Sequence, residues 1–147
     1  MKLLALDSSG LVASVAVTQD DTLVAEFTMN YKKTHSQTLV PMMDAIRQMT
    51  DLDLESIDAI AVAAGPGSFT GLRIGSATAK GLGLALNKPI VPVPTVDGLA
   101  YNLYGTADVV CPIMDARRNQ VYTGVYRFRE EFEILREQDA MDMGELL

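Results

Sequence analysis

Residues 57–75, IDAIAVAAGPGSFTGLRIG, decide the fold of this chain. They join a nearly continuous apolar run at 57–64 to a glycine-rich turn at 65–68, and a helical pattern follows at 70–86. A continuous apolar run of this length indicates a strand that is covered on both faces of its sheet. A buried strand that turns directly into a helix is typical of α/β proteins, so we expect that class.

The patterns on either side extend this prediction to a defined order of elements. In chain order they predict strands at 2–7, 13–18 and 23–29, a helix at 36–50, a strand at 57–64, a helix at 70–86, a strand at 89–93 and a helix at 95–104. The first three strands form an antiparallel meander. The order βββαβαβα predicts a mixed sheet with helices on both faces, the RNase H-like arrangement of the actin-like (ASKHA) fold class.

The opening pattern then begins a second time. Residues 112–115, PIMD, match residues 4–7, LALD, at an offset of 108 positions (115 minus 7), and β-rich runs follow at 121–126 and 132–135. Actin-like proteins with two lobes are built from such a duplication. We therefore expect an RNase H-like lobe at 1–106 and the start of a second, duplicated lobe at 107–147 that is incomplete.

Composition narrows the class of function. The chain has 147 residues, is 48% hydrophobic and carries a formal charge of −7 with only twelve Lys and Arg residues. Nucleic-acid binders hold phosphates with clustered basic side chains, so we expect a partner to hold any nucleic acid. The single Cys111 excludes an internal disulfide, and no apolar run reaches about 18 residues. We expect a cytoplasmic protein without a membrane contact.

Small residues recur every four positions in the helix predicted at 70–86, at Gly71, Gly75, Ala79 and Gly83. Each glycine costs roughly 1 kcal/mol relative to alanine in a helix, so this stripe needs a reason. Either the helix crosses its own sheet very closely, or a helix from a partner or a second copy packs into the groove. Both explanations can apply, on different faces of the helix. We expect a bulky residue at Gly75 or Ala79 to abolish partner binding while it leaves the fold largely intact.

The helix predicted at 36–50 is rich in methionine. Met42, Met43 and Met49, together with Val40, spread apolar side chains over more than one stripe. Methionine adapts its shape and is common on surfaces that pack against partners, but an ordinary methionine-rich core gives the same pattern. Both interpretations stay open.

The chain lacks the residue patterns that catalysis or metal binding would require. His35 is the only histidine, and Leu39 stands four residues later, where a helical metal site would have its second histidine. One cysteine cannot form a thiolate cluster. Ser68 and Thr70 have no second histidine or evident base beside them. We expect no catalytic residue and no metal site.

A nucleotide site is weakly indicated. Asp7, Ser8 and Ser9 occupy the position where actin-like ATPases bind phosphate and metal, and they are the candidate nucleotide-binding residues. The matching turn at 115–118 lacks the glycines that let backbone approach a phosphate. The stretch 65–75 fits neither the P-loop nor the dinucleotide fingerprint. We expect no cofactor for this chain alone, and ATP or ADP at a complex with a partner stays open.

The stretch 65–75, GPGSFTGLRIG, resembles the signature of the bacterial TsaB (YeaZ) family. The segments that also match are residues 4–8, residues 34–36 with Leu39 and Pro41, and residues 115–118 with Val121 and Tyr122. The resemblance covers essentially the whole chain. It identifies the chain as a non-peptidase relative of the glycoprotease (TsaD/Kae) family, in which a metal is held partly by two histidines on a helix.

The resemblance implies a role in tRNA modification. It implies a non-catalytic scaffold that binds TsaD and, through that complex, TsaE and tRNA. The assembly places threonylcarbamoyl on the adenosine next to the anticodon in tRNAs that read codons starting with A. The family also implies docking on the first two helices, which form a homodimer in isolation. The resulting partner-binding candidates are Leu39, Met42, Met43, Ile46, Phe69, Thr70, Gly71, Arg73, Ile74, Gly75, Thr78, Ala79 and Leu82.

Two other functions remain as alternatives. An actin-like ATPase or small-molecule kinase would be stabilised by a nucleotide, because a ligand that binds only the native state raises stability. A metallopeptidase would carry stoichiometric zinc or iron. The sequence argues against it, because His35 has no second histidine with which to hold the metal.

Overall fold

A computed structural model describes residues 1–31 and 34–146 of the chain. They form two compact units, Met1–Val93 and Pro94–Leu147. The lobes predicted at 1–106 and 107–147 were inferred from a repeated sequence pattern. A division into compact units does not test for a duplication, so these lobes stay a prediction. Within the described ranges, none of the helices has the length and apolar character needed to cross a membrane.

The first unit is a five-stranded sheet with two helices. Its elements are strands β1 (Lys2–Asp7), β2 (Ala13–Gln19) and β3 (Thr22–Met29), helix α1 (His35–Met49), a 3₁₀ turn (Leu54–Ser56), strand β4 (Ala59–Ala63), helix α2 (Phe69–Leu86) and strand β5 (Ile90–Val93). The strand order is β3-β2-β1-β4-β5. β2 is antiparallel to β1 and β3, whereas β4 is parallel to β1 and β5. The predicted mixed α/β class is confirmed.

Both helices of this unit cover the same face of the sheet. Leu4 lies beside Val17 and Ile60, and Leu6 lies beside Val15 and Val62, so the large apolar side chains share one face. They form one core with the buried side of α1 and with Ala79 of α2. The prediction of helices on both faces is therefore wrong for α1 and α2. α1 connects β3 to β4 and α2 connects β4 to β5, so both crossovers run in the same direction across the sheet, and right-handed crossovers then put both helices on one side.

The small residues of α2 face this sheet and the turn after β1. A Cβ atom at Gly71 would lie 1.9 Å from the Ser8 carbonyl oxygen, and one at Gly75 would lie 2.6 Å from Ser8 Oγ. Ala79 is fully buried. The stripe therefore exists because the helix crosses its own sheet. The expectation that a bulky residue at Gly75 or Ala79 leaves the fold largely intact is wrong, because both positions are buried against the chain's own sheet.

The second unit is a four-stranded sheet with short helices. Its elements are α3 (Thr95–Ala100), a 3₁₀ turn (Tyr101–Leu103), β6 (Val109–Val110), β7 (Ile113–Arg117), β8 (Gln120–Phe128), β9 (Phe132–Asp142) and α4 (Met143–Leu146). β8 pairs with β6, β7 and β9, all antiparallel. The helix predicted at 95–104 is α-helical only to Ala100 and then tightens into the 3₁₀ turn.

Tyr126 is the centre of the second core. Its side chain is fully buried among Val96, Ala100 and Phe128. The hydroxyl donates a hydrogen bond to Asp97 Oδ1 at 2.8 Å. Burial, followed by this hydrogen bond, raises the pKa of Tyr126 well above its ordinary value near 10. The tyrosine is therefore held in its neutral form.

Two glycines of α2 should respond oppositely to the same substitution. Gly71→Ala should lower the free energy of unfolding by about 3 kcal/mol, because the new methyl group meets the Ser8 backbone. Gly81→Ala should raise it by about 0.5–1 kcal/mol, because its Cβ would meet nothing within 4 Å and alanine favours the helix. Urea unfolding of both variants measures the difference. Equal effects would contradict the packing of α2 described above.

Tyr126 should make stability depend on alkaline pH. The folded protein holds the phenol proton more tightly than the unfolded chain, so this stabilisation is complete below about pH 10 and falls as the pH rises further. The slope is up to about 1.4 kcal/mol per pH unit. Tyr126→Phe should be less stable at about pH 8 by about 1–2 kcal/mol, since Asp97 loses its donor. Its deficit should shrink by about pH 11 in urea unfolding, and a constant deficit would contradict the assignment.

Candidate functional site

Seven of the thirteen predicted partner-binding residues are buried inside the first unit. They are Leu39, Met42, Met43, Ile46, Gly71, Gly75 and Ala79. The side chains of Met42 and Met43 belong to the core beneath α1, whereas Met49 is 86% exposed, so the structure divides the methionine pattern between core and surface. Of the thirteen predicted residues, only the other six are at least partly exposed to a partner in this conformation.

Those six residues lie along α2. Phe69 is 74% exposed at the first position of the helix, and the Arg73 guanidinium carbon sits 5.3 Å from the centre of its ring. This contact is a cation–π interaction that holds both side chains on the surface. Thr70 is exposed and Thr78 half-buried, whereas Ile74 and Leu82 are half-buried against the core. Their role in binding a partner stays a prediction.

A second stripe of small residues faces outward on α2. Ala77, Gly81 and Ala85 recur every four residues and are all exposed. Leu84, beside this stripe, is 87% exposed. We call Phe69, Arg73, Ala77, Gly81 and Leu84 the outer α2 face. Ala77, Gly81 and Leu84 were not among the predicted residues, although their spacing is visible in the sequence, because the prediction considered only the stripe that begins at Gly71.

The exposed side of α1 is mixed in character. Val40 is 49% exposed, and Pro41 is exposed beside it. Further along, Arg47 donates from Nε to Asp44 Oδ1 at 2.9 Å, and Gln48 donates to Asp44 Oδ2 at 2.6 Å. Such surface pairs contribute little to stability, and the large apolar side chain of Met49 is 86% exposed beside them.

The turn after β1 is occupied by the start of α2. The Ser8 hydroxyl donates to the Gly71 carbonyl at 2.8 Å, and the Ser68 amide donates to the Ser9 carbonyl at 2.6 Å. The Asp7 carboxylate accepts the Ser9 amide at 2.8 Å. The Ser8 hydroxyl therefore serves a contact within the chain, because a hydroxyl that donates to a carbonyl cannot at the same time donate to a phosphate.

His35 belongs to the same junction. Its Nε2 lies 2.8 Å from the Gly10 carbonyl oxygen, which can only accept, so Nε2 carries the proton in this contact. The start of α1 and the start of α2 thus both hold the turn that connects β1 to β2. Within residues 1–31 and 34–146, no group of three or more His, Cys, Asp or Glu side chains is arranged to hold a metal ion.

The chain is similar to proteins of one tRNA modification pathway. A family model described as TsaD, tRNA N6-adenosine threonylcarbamoyltransferase, matches residues 22–147. The tRNA threonylcarbamoyladenosine biosynthesis protein TsaB of Bacillus subtilis is 36% identical over 96% of this chain. The protein of the same name from Haemophilus influenzae is 35% identical over 99% of it. The chain spans 62% and 58% of the lengths of these two relatives.

Solved structures agree with this similarity. A crystal structure from Pseudomonas aeruginosa, of a protein described as similar to the peptidase YeaZ, has a TM-score of 0.84 at 32% identity. It is matched over 96% of this chain and 66% of its own length. YeaZ from the same organism has a TM-score of 0.82 at 32% identity, over 95% of this chain and 66% of its own. The chain therefore belongs to the TsaB (YeaZ) family of tRNA threonylcarbamoyladenosine biosynthesis proteins, within the wider family that the TsaD model describes.

Proposed function

We propose that this chain is a non-catalytic subunit that binds a TsaD-type transferase subunit through the outer α2 face. The assembly would place threonylcarbamoyl on the adenosine next to the anticodon, and TsaE and tRNA would join through the complex. The observation that carries the proposal is the exposure of Phe69 and Leu84 on a helix whose other exposed positions include Ala77 and Gly81. In isolation the same face would pair two copies of the chain in the cytoplasm.

The outer α2 face has the shape that close helix packing needs. Helix axes approach to about 8 Å only where the side chains between them are small. Ala77 and Gly81 provide that low surface, and a Cβ at Gly81 would meet nothing within 4 Å. Phe69 and Leu84 stand at its two ends as large apolar side chains that a partner would bury. Such anchors around a tightly packed centre carry most of the energy of an interface.

The proposed absence of catalysis rests on the junction at the start of α1. His35 is bound to the Gly10 carbonyl, and Leu39, at the place of the second metal-binding histidine, is 1% exposed in the core. A polar metal ligand at position 39 would lie among apolar side chains, where it costs free energy unless it is paired. The Ser8 and Ser9 contacts likewise favour a structural use of the turn over phosphate binding.

The RNase H-like, actin-like assignment is part of the proposal. The order β3-β2-β1-β4-β5, with the meander antiparallel and the last two strands parallel to β1, supports it. The hairpin of β7 and β8 pairs antiparallel, as β1 and β2 do, which supports a duplicated second lobe.

Gly81→Leu should separate partner binding from folding. The variant should weaken binding to a TsaD-type subunit at least tenfold in calorimetric titration, because leucine fills the space that a partner helix needs. Its thermal unfolding should stay at or above that of the unaltered chain, since the site is open and leucine favours the helix.

Ala140→Leu is the matched control, because it adds the same kind of bulk at an exposed position of β9. The control should bind the transferase subunit as the unaltered chain does. Unchanged affinity of Gly81→Leu would contradict the proposed interface. An equal loss for both variants would show that bulk anywhere on the chain disturbs binding.

A further inference from the structure

The tip of the β7–β8 hairpin has an unusual backbone. Arg117, Arg118 and Asn119 all have positive φ, at 65°, 52° and 62°. Arg117 pairs with Gln120, so Arg118 and Asn119 form a two-residue turn, and the register shifts between Asp115 and Arg117. Turns of this kind favour Asn followed by Gly, because a side chain such as that of arginine is strained in the left-handed region. Arginine therefore occupies two positions where it is locally unfavourable.

Both arginine side chains are exposed, and across the described chain neither guanidinium lies within ion-pair distance of a carboxylate. Arg47 and Arg127, by contrast, pair with Asp44 and Glu133.

The carboxylates nearest to these two arginines, in the sequence and across the sheet, accept hydrogen bonds from backbone amides. Asp115 Oδ1 accepts the Arg117 amide at 2.7 Å, and Asp142 Oδ1 accepts the Gly144 amide at 2.8 Å. Glu145 is exposed on α4. Two positive charges are thus left without a partner at one end of an acidic unit.

The tip is also braced against motion. The Met143 amide donates to the Asn119 carbonyl at 3.1 Å, and Gln120 pairs with Asp142 of β9. The two guanidinium groups are therefore carried on a fixed turn rather than on a free loop. Strained backbone persists where the surrounding structure enforces it, and it concentrates at positions that contact ligands.

We propose that Arg117 and Arg118 contact backbone phosphates of the tRNA that the assembly modifies. The guanidinium group presents paired donors that match the oxygens of a phosphodiester, and such contacts position a nucleic acid without reading its sequence. Two cations on a chain with a net charge of −7 hold RNA too weakly alone, so the contact acts together with the transferase subunit. The inference rests on the proposed function.

The test replaces both residues by a type that tolerates positive φ. Arg117→Asn with Arg118→Asn removes the charges and relieves the strained turn, so thermal unfolding should stay equal or rise. Titration of labelled tRNA into the complex with a TsaD-type subunit should show an affinity about tenfold lower. The slope of log affinity against log salt should become shallower by about 1 to 2, the value for two lost phosphate contacts.

Two control variants distinguish the loss of this contact from a general change in net charge. Arg129→Asn with Arg136→Asn removes the same charge from two other exposed positions of the unit. This variant should leave the tRNA affinity and its salt slope nearly unchanged. Arg117→Lys with Arg118→Lys keeps the charge and should retain most of the salt slope. If the asparagine variant joins the transferase subunit and binds tRNA like the control, the inference is wrong.

A parallel titration with ATP distinguishes the two sources of phosphate. Loss of ATP affinity with tRNA affinity unchanged would assign the tip to a nucleotide and overturn the inference. Failure of the unaltered chain to join the transferase subunit would overturn the proposed function as well, and that arm is measured before any tRNA is added.

Discussion

The close approach of α2 to the turn after β1 is the constraint on which the first unit depends. Gly71 leaves no room for a side chain beside the Ser8 carbonyl, and the Ser8 hydroxyl bonds back to Gly71. This contact fixes the rotation of α2 about its axis. The stripe of small residues that begins at Gly71 then packs against the sheet, and the outer α2 face is exposed to solvent. The same contact uses the Ser8 hydroxyl within the chain.

Much of the fold could be predicted from the chain alone, because hydrophobic periodicity is local. The strands and helices at 2–7, 13–18 and 36–50 agree with the structure to within about two residues. The rotation of α2 could not be predicted. Gly71 and Gly75 define one small stripe, and Ala77 and Gly81 define another, so spacing alone does not say which stripe faces the sheet. That choice is made by Ser8, 63 positions away from Gly71.

The predicted partner-binding residues lie on both sides of α2 and on the buried side of α1, and their role in binding stays a prediction. Met42 and Met43 have the same pattern in a core and on a surface, and only the packing of α1 against β2 and β3 distinguishes the two. The hairpin tip was predicted as a turn at 115–118, but the structure places the two-residue turn at Arg118 and Asn119. Arginine does not favour positive φ, so neither Arg117 nor Arg118 signals a tight turn, and the sheet imposes the turn on them.

The central claim is that this chain supports a transferase subunit and does not perform the chemistry. The most direct measurement is formation of threonylcarbamoyladenosine on tRNA with threonylcarbamoyl-AMP, TsaE and a TsaD-type subunit supplied, with and without this chain. The account predicts little product without the chain and restoration when it is added, with none from the chain alone. Product formed by the chain alone, or equal product in its absence, would contradict the account.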